Sequence, residues 1–400
     1  MTQALEGIRI LDFTQVLAGP YAVMQLALLG AEVIKIEHPR GDQSRTLIST
    51  NTENMAPAFL TCNLNKRSIT LDLKSDAAST IVTQLLADTD VVVENFKAGT
   101  MDSLGLGYDM LSAIKPKLIY CAISGYGQSG PNAGAAAYDG ALQAASGMMS
   151  MTGSDESGPT RTGFMPVDMA TALQASAAIT GALLRKERTG QGQYLDVSML
   201  DTSMVLQALQ VTNYLNEGTI PALLGNSSPT RQPTADAFRT LDGHLQITVI
   251  QQDQTERLFT VIGLEHLLND DRYATESARI ENFETCQAEM QRVLSTKTTD
   301  SWLTAMQAAK VPVAAIRSLQ EALSDPQLAH RQVLSSTAPD DLPARDKKTV
   351  VTTGYLADQD GPSIRLQPPV LGEHTDQVLR EAGFELSQIN QWREEGVLGA

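Results

Sequence analysis

The chain has 400 residues with 46 acidic and 30 basic side chains, which gives a net charge of −16 at neutral pH. A surface of this sign repels phosphate backbones, and no basic stripe offsets it, so the composition disfavours nucleic-acid binding. Any anionic ligand has to be held by a few lysines, arginines and backbone N–H groups. A chain of this length exceeds one ordinary hydrophobic core, which favours a large domain accompanied by a smaller one.

Cysteine and histidine spacing argues against disulfides and metal sites. Cys62, Cys121 and Cys286 lie far apart and form no C-x-x-C pair, and no two histidines have the spacing of a metal-binding helix. The first residues lack a basic start followed by an apolar stretch, and the long uncharged runs are too rich in small residues to suggest a bilayer span. We therefore expect a cytoplasmic protein without a metal, a permanently bound cofactor or a membrane contact.

Apolar runs alternate with helical patterns in the N-terminal half of the chain. The predicted strands are residues 8–13, 33–37, 68–73, 91–95 and 118–123. Between them, residues 21–29 have a helical pattern that stops at Gly30, and residues 77–86 have another. Such alternation predicts right-handed crossovers and hence an α/β fold with a Rossmann-like, mostly parallel sheet. Ligands of such sheets bind at the carboxyl ends of the strands.

A dinucleotide-binding site is an alternative that the first turn argues against. Glu37 ends the second predicted strand, where dinucleotide-binding folds place a ribose-binding acid. The turn after the first strand reads FTQVLAGPY, however, and Gly19 is its single glycine. Without the G-x-G-x-x-G pattern the backbone has no close approach to a pyrophosphate, so nicotinamide and flavin cofactors are disfavoured.

Asp168 stands at the head of an uncharged, mostly apolar run at residues 169–184. Aspartate is a preferred N-cap, because its carboxylate accepts hydrogen bonds from the first turn of a helix. Lys186 and Arg188 follow the run, and Gly190 suits the left-handed residue that ends many helices. These features predict a buried helix that starts at Asp168, with this aspartate as its cap.

The second half of the chain is predicted to form a smaller α+β unit before it returns to the large domain. A helix at 204–216 leads into a turn-rich region, where Asp242 and Gly243 between apolar-alternating runs predict a hairpin. The chain is mainly helical from there to about residue 323, and a further helix starts near Glu373. The predicted boundaries are a large α/β domain at 1–205, a small α+β domain at 225–323 and a C-terminal segment at 324–400 that rejoins the large domain.

Eight stretches in order along the chain share their motifs with one protein family. They are LEGIRILDFTQVLAGP (5–20), LGAEVIKIEHPRGD (29–42), ISGYGQSGP (123–131), PPVLGEHTDQVL (368–379) and residues 63–74, 91–109, 138–153 and 166–201. Together they resemble the family III CoA-transferases, the group that contains formyl-CoA:oxalate CoA-transferase and carnitine CoA-transferase. The resemblance implies a large and a small domain with the site at their junction, and an interlocked homodimer in which each chain passes through a ring made by the other.

The resemblance also implies that Asp168 is a covalent nucleophile, because the aspartate of the family's PVD-like turn falls on this residue. Exchange of CoA between two carboxylic acids without hydrolysis requires that the acyl activation be stored. A side-chain carboxylate stores it by attacking the thioester to give a mixed anhydride, which CoA thiolate then converts to an aspartyl-CoA thioester. A carboxylate at a helix start is expected to be ionised, so this reaction needs no separate general base.

The resemblance further implies a set of contacts with the acyl-CoA. They are Val16, Leu17, Ala18, Arg40, Asn63, Lys66, Arg67, Asn95, Phe96, Lys97, Tyr138, Asp139, Met199 and Gly225. Arg40, Lys66, Arg67 and Lys97 are the expected partners of the CoA phosphates, although the two arginines and Lys97 are equally explained as solvated surface charges. Tyr138 is expected within reach of the reacting acyl group.

Departures from the family pattern bear on the choice of substrate. Leu17 stands where formyl-CoA transferase has a glutamine, and Ser103 and Ala136 replace basic residues of that enzyme. The sequence GNSSP at 225–229 replaces its glycine-rich loop, which leaves Gly225 as a candidate for oxyanion contact. Oxalate and formate are therefore disfavoured, and a larger or less charged acceptor acid is expected.

Two other functions are alternatives at the level of the sequence. The α-methylacyl-CoA racemases resemble this chain too, but they use a histidine just before the aspartate that matches Asp139, where this chain has Tyr138. A neutral phenol is a poor base at pH 7, so racemisation is disfavoured. A non-catalytic CoA-binding protein is the second alternative, and it would require Asp168 to act as a helix cap only.

Overall fold

The computed structural model describes residues 3–47, 55–337 and 348–399. The chain divides into two compact units. The first comprises Met1–Met148, Arg161–Thr219 and Gln327–Ala400, and the second comprises Met149–Thr160 and Ile220–Pro326. The region 225–323, which the sequence assigns to a smaller domain, lies in the second unit, and this unit also takes in the segment 149–160.

A six-stranded sheet forms the centre of the first unit. Its strands are β1 (Arg9–Asp12), β2 (Glu32–Glu37), β3 (Lys66–Thr70), β4 (Val91–Glu94), β5 (Ile119–Ser124) and β6 (Gln193–Ser198). They lie in the order β3-β2-β1-β4-β5-β6, and every neighbouring pair is parallel. The predicted α/β class with a Rossmann-like parallel sheet is thereby confirmed. The strand β6 was not predicted, because an edge strand with polar residues at alternate positions lacks the continuous apolar run of the central strands.

Successive residues of each strand face opposite sides of the sheet, and both sides are covered. Ile10 and Val33 belong to one buried cluster, whereas their chain neighbours Leu11 and Ile34 belong to another. Burial on both faces explains why the central strands read as continuous apolar runs rather than as an alternation.

The helices of the first unit connect and flank these strands. They are α1 (Ala18–Leu28), Pro57–Cys62, Asp76–Leu86, Thr100–Ser103, Tyr108–Ile114, α2 (Asp139–Ala145), α3 (Pro166–Thr189), Met199–Leu206, Ala208–Glu217, Pro326–Arg331, Thr375–Glu381 and Leu386–Glu394. A short 3₁₀ helix at Gln43–Arg45 follows β2, and Leu334–Ser336 pairs with Thr349–Val351 in a small antiparallel ladder. The predicted helix at 204–216 is in fact two helices that meet at Gln207.

The helix α3 begins at Pro166, so the prediction that Asp168 caps this helix is wrong. Proline suits the first helical position, because its fixed φ matches the helix and its missing N–H would have no partner there. The capping carboxylate comes from Asp139 at the start of α2. Its Oδ2 accepts the N–H of Val167 at 2.8 Å and the N–H of Asp168 at 3.1 Å. The side chain of Asp168 is therefore not used as a cap.

One face of α3 is part of the core of the first unit. Its buried residues are Val167, Thr171, Ala172, Ala175, Ile179, Ala182 and Leu183, several of which cluster with the buried face of α1. By length and composition alone this helix could also span a membrane, a property that core helices of globular proteins share. As predicted, Gly190 follows its last turn in the left-handed conformation, with φ 70°.

The second unit has a three-stranded antiparallel sheet packed against helices. Ala237–Arg239 and His244–Ile247 form the hairpin that was predicted at Asp242 and Gly243, and Val313–Ala315 pairs with the other side of His244–Ile247. Its helices are Gln252–Ile262, Glu276–Glu281, Phe283–Leu294, Thr299–Ala308 and Leu319–Leu323, with a 3₁₀ helix at Glu265–Asn269 and a two-residue ladder of Gly153–Ser154 with Gly158–Pro159.

Candidate active site

A cavity lies where the order of strands in the sheet reverses. In the sheet, β1 lies between β2 and β4. The connection after β1 leads to one side of the sheet and the connection after β4 leads to the other, and these two connections leave a crevice between them at the carboxyl edge. The cavity has a volume of about 320 Å³. It is lined by Gln15, Val16, Leu17, Ala18, Gln43, Asn95, Phe96, Lys97, Ala98, Ile123, Ser124, Gly125, Tyr126, Gly134, Ala135, Ala136, Ala137, Tyr138, Asp168 and Met199.

The cavity brings Asp168 together with many of the residues predicted to contact acyl-CoA. Those that line it are Val16, Leu17, Ala18, Asn95, Phe96, Lys97, Tyr138 and Met199. Together with Asp168 they come from five separate parts of the sequence, so only the fold brings them together. Asp139 does not line the cavity but is bonded to the backbone of Asp168.

The loop between β1 and α1 has an unusual backbone conformation. Val16 has a φ of 68°, which lies in the left-handed region that β-branched residues rarely adopt. Such a conformation costs about 1–3 kcal/mol and persists only where the surroundings hold it. The N–H of Val16 points at the carboxylate of Asp42, 3.1 Å from Oδ1 and 3.3 Å from Oδ2. The Asn95 side chain accepts the N–H of Gln15 at 2.7 Å and donates to its carbonyl at 2.8 Å.

Asp42 is one half of a buried ion pair. Lys35 Nζ lies 3.0 Å from Oδ2 of Asp42 and donates to the carbonyl of Thr14 at 2.8 Å. Burial alone would raise the pKa of Asp42, but Lys35 and hydrogen bonds from Ser44 outweigh it and lower the pKa to about 2. Burial likewise opposes the charge of Lys35, yet the neighbouring carboxylates raise its pKa. Both groups are therefore charged at neutral pH, and together they bind two backbone groups of the loop.

The first turn of α1 has uncapped backbone amides beside the cavity. No side chain caps this helix, and within the described ranges no acceptor binds the N–H groups of Leu17, Ala18 or Gly19. Leu17 and Ala18 line the cavity themselves. Adjacent free donors at the positive end of a helix dipole stabilise negative charge, so this turn is suited to an oxyanion or a carboxylate.

The carboxylate of Asp168 is half-buried, lines the cavity and accepts no hydrogen bond from any residue that the structure describes. Burial and, after it, the negative charge of Asp139 raise the pKa of Asp168 to about 6. A group with this pKa is mostly deprotonated at pH 7, but burial and Asp139 oppose the ionised form that a helix start was expected to favour. The result is a weakly solvated carboxylate with a basicity above that of an ordinary aspartate.

Two glycines allow close approach of the segments around the cavity. A Cβ at Gly125 would lie 2.2 Å from the Cβ of Ala137, and a Cβ at Gly134 would lie 3.3 Å from Lys97 Cε. Lys97 also lines the cavity, and it is the one cationic side chain among the lining residues that the structure describes. Tyr138, which precedes α2, is 74% exposed and thus accessible to a ligand.

Five of the predicted contact residues lie elsewhere. Lys66 is fully buried and bonds Asp12 Oδ2 at 2.8 Å and the Pro20 carbonyl at 2.9 Å. The Asn63 amide is buried and donates to the Phe59 carbonyl. The geometry gives no support to a phosphate contact from Lys66, because its ammonium has no exposed surface.

The remaining three are Arg67, Arg40 and Gly225. Arg67 forms ion pairs with Glu32 and Glu381, and Arg40 is exposed in a turn that does not line the cavity. Gly225 belongs to the second unit, where its N–H donates to the Gly153 carbonyl at 2.7 Å. Their roles toward CoA stay predictions.

Several cavity residues were not predicted from the sequence. Gln15, Gln43 and Ser124 line the cavity, and Asp42 holds its Val16 peptide. The only sequence signal for Asp42 was its place two residues after Arg40 in the PRGD turn, directly after a strand. A left-handed valine has no signature in the sequence at all, because valine is an ordinary strand residue.

Comparisons with known proteins agree on one family. The family model for CoA-transferase family III matches residues 5–375. A succinate–glutarate CoA-transferase from Agrobacterium fabrum is 37% identical, with 94% of this chain and 95% of that protein covered. A succinyl-CoA:mesaconate CoA-transferase from Haloarcula hispanica is 34% identical over 95% of this chain and 96% of its own length. The crystal structure of a CAIB/BAIF family protein from Brucella suis superposes with a TM-score of 0.85 at 33% identity, covering 96% of this chain and 100% of that one. The chain belongs to CoA-transferase family III and is a CoA-transferase.

Proposed function

We propose that the chain transfers CoA from an acyl-CoA thioester to a free carboxylic acid through covalent intermediates on Asp168. The observation that carries this proposal is the state of the Asp168 carboxylate. It lies on the cavity at the carboxyl edge of the sheet, free of hydrogen bonds from described residues, while Asp139 caps the helix in its place. A carboxylate that serves neither as a cap nor in an ion pair is available as a nucleophile.

The first half of the reaction moves the activation onto the protein. One carboxylate oxygen of Asp168 attacks the thioester carbon, the C–S bond breaks, and CoA leaves as the thiolate, which gives a mixed anhydride. The thiolate then attacks the Asp168 carbonyl of the anhydride. The donor acid leaves as its carboxylate, and an aspartyl-CoA thioester remains.

The second half repeats these steps in reverse order with the acceptor. The acceptor carboxylate attacks the aspartyl thioester and releases CoA thiolate, and the thiolate attacks the acceptor's acyl carbon. This forms the new acyl-CoA and restores the Asp168 carboxylate. No proton is gained or lost in the cycle, which is consistent with the absence of histidine among the described residues that line the cavity.

The geometry supports this sequence in two further ways. Each attack produces an oxyanion, and the free N–H groups of Leu17 and Ala18 are donors of the kind that stabilise such charge. The raised pKa of Asp168, about 6, makes its carboxylate more basic than an exposed one while it stays ionised at neutral pH.

We further propose succinyl-CoA as the donor and a five-carbon dicarboxylate as the acceptor. The support is that both relatives described above carry succinate or succinyl-CoA in their names, together with glutarate or mesaconate. An acceptor of this size agrees with the sequence-based expectation of an acid larger than oxalate.

Self-association as an interlocked homodimer is also part of the proposal. The adjacent helices Met199–Leu206 and Ala208–Glu217 expose Val205 at 63%, Leu209 at 75% and Leu215 at 72%. Apolar side chains grouped at such exposure are typical of a surface that another chain covers. Sedimentation analysis at micromolar concentration should show a dimer, and a stable monomer would contradict this part.

We also propose the cytoplasm as the location of the protein. The support is that the thiols of all three cysteines are free and buried.

The test is a panel of acyl-CoA donors against free acids, read by mass spectrometry, followed by trapping with hydroxylamine. Wild-type protein incubated with its donor should acquire a hydroxamate on the peptide that carries Asp168. Asp168→Asn should show neither the label nor turnover. A labelled peptide elsewhere in the chain, or full transfer activity in Asp168→Asn, would overturn the proposed mechanism.

A further inference from the structure

We propose that Asp42 is a positioning residue for the reaction: it holds the Val16 peptide in its left-handed conformation and thereby fixes the uncapped turn at Leu17 and Ala18. The inference rests on the proposed function, because it assigns the turn a role in the transfer reaction.

The loop depends on hydrogen bonds from outside itself. A φ of 68° is unfavourable for valine, so the surrounding residues have to hold Val16 in this conformation. The N–H of Val16 has one acceptor group, the Asp42 carboxylate at 3.1 and 3.3 Å, which comes from the segment after β2. If that carboxylate is lost, Val16 is expected to relax toward the extended region that β-branched residues prefer.

Asp42 itself is fixed from every side. Lys35 Nζ bonds it at 3.0 Å, the N–H and the hydroxyl of Ser44 each donate to its Oδ1 at 2.8 Å, and its own N–H donates to Glu37 Oε2 at 3.0 Å. Its side chain is 1% exposed and that of Lys35 is 0% exposed. Lys35 also donates to the Thr14 carbonyl, so the ion pair is hydrogen-bonded to the loop at Thr14 and at Val16, the two neighbours of Gln15.

The conformation of Val16 determines the direction of the next peptides. Leu17 is the residue before the first helical residue of α1, and with Ala18 it lines the cavity that contains Asp168. A change of φ at Val16 swings the Leu17 N–H away from its present direction, although the remainder of α1 stays packed in the core. We call the ion pair of Asp42 and Lys35, with its hydrogen bonds to this loop, the clamp. Small displacements of donors that bind a transition state have large effects on rate, so the clamp is expected to affect turnover more than folding.

Asp90 provides a matched control at the opposite edge of the sheet. It accepts the N–H of Arg9 at 3.0 Å and the ammonium of Lys186 at 2.6 Å, so it shares with Asp42 the combination of a backbone N–H and a lysine. It lies before β4, away from the cavity lining. An asparagine at position 42 has one oxygen and one NH₂ group, so it cannot accept Lys35, Ser44 and Val16 together as the two carboxylate oxygens do. Asp42→Asn should therefore lower kcat about tenfold or more and raise KM for the acyl-CoA by less, whereas Asp90→Asn should leave both within about twofold of wild type.

The readout that separates positioning from a purely structural role is rescue by glycine. Glycine adopts positive φ readily, so Val16→Gly should make the loop conformation independent of the clamp. The comparison is made within the glycine background, so that any effect of Val16→Gly itself cancels. Asp42→Asn should lower kcat at least three times less in Val16→Gly protein than it does in wild-type protein. A loss of kcat that follows the loss of thermal stability equally in the Asp42 and Asp90 variants, or that Val16→Gly does not relieve, would overturn the proposal.

Two additions keep the test decisive. If Asp42→Asn does not fold, Ser44→Ala removes one hydroxyl from the Asp42 carboxylate and should lower kcat two- to fivefold, again relieved by Val16→Gly; an unchanged kcat contradicts the clamp. Amide hydrogen exchange of the peptide spanning residues 14–19 should accelerate in Asp42→Asn and not in Asp90→Asn, and it needs no turnover. Wild-type protein that transfers no CoA would refute the proposed function, and unchanged exchange at 14–19 would refute the clamp.

Discussion

At each edge of the parallel sheet an aspartate binds a lysine and a backbone N–H, but the two aspartates serve different purposes. At the amino edge, Asp90 joins a lysine and a strand N–H, and its side chain is 23% exposed. At the carboxyl edge, Asp42 joins a lysine and a loop N–H, and its side chain is 1% exposed. The backbone held by Asp90 is the ordinary start of β1, whereas the backbone held by Asp42 is left-handed.

The difference shows where this fold accepts unfavourable local structure. An exposed ion pair contributes little to stability, and a buried one costs desolvation that its own attraction does not clearly repay. The carboxyl edge concentrates a buried ion pair, a valine at positive φ, unpaired amides and a half-buried carboxylate around one cavity. Features that do not serve stability, and that share a cavity, indicate the part of the molecule that serves catalysis.

The largest expected effect comes from changing the carboxylate that we place at the centre of the reaction. Asp168→Asn should lower turnover by at least about a thousandfold, because an amide cannot form the anhydride. Asp201→Asn is the matched control: Asp201 is the third residue of its helix, as Asp168 is of α3, and lies outside the cavity lining. Steady-state kinetics should show Asp201→Asn within about twofold of wild type. An equal loss in both variants would mean that a carboxylate in a first helical turn matters only for folding.

The pH dependence of kcat/KM for the acyl-CoA should report the ionisation of Asp168. Because burial and Asp139 raise its pKa to about 6, activity should be level above pH 7 and should fall about tenfold per pH unit below pH 6. The measurement is a pH series in buffers of constant ionic strength, with circular dichroism as a control for folding. A profile that is flat down to pH 4.5 would contradict an ionised Asp168 as the attacking group.

A smaller change is expected when the charge beside Asp168 is removed. In Asp139→Asn the amide oxygen can still accept the N–H groups of Val167 and Asp168, so the cap is kept while the negative charge is lost. The pKa of Asp168 should fall, and the acidic limb of the pH profile should shift to lower pH. The less basic carboxylate should also lower kcat a few fold. If the limb does not move, Asp139 acts on the helix start alone.

The smallest effect concerns stability. An acid whose pKa is raised on folding, here from 3.8 to about 6, destabilises the folded state as pH rises through that interval and fully above it. Asp168→Asn should therefore raise the free energy of unfolding at pH 7 by about 1–3 kcal/mol and leave it unchanged near pH 3.5. Urea titrations at the two pH values measure this difference. A variant that is less stable at pH 7 would show that the carboxylate has a structural role.

The sequence alone predicts much of the fold and the centre of the site, for identifiable reasons. The central strands are apolar on both faces and thus stand out as runs, while β6 lies at the edge and was missed. The helix that carries Asp168 was predicted, but its cap was not, because Asp139 lies far away in sequence and leaves no local signal. Lys66 shows the same limit, since a lysine bonded to Asp12 inside the core looks no different in the sequence from one that faces a ligand.

The central claim is that the carboxylate oxygens of Asp168 take part in bond making, and isotope transfer tests it most directly. When the acceptor acid carries the heavy oxygen isotope in its carboxylate, the proposed steps leave one labelled oxygen on Asp168 at the end of each turnover. The peptide that carries Asp168 should therefore gain the heavy isotope in mass spectra, and the label should appear in the released donor acid in later turnovers. If turnover proceeds and the label stays entirely in the acceptor's own acyl-CoA, without reaching Asp168 or the donor acid, the covalent account is wrong.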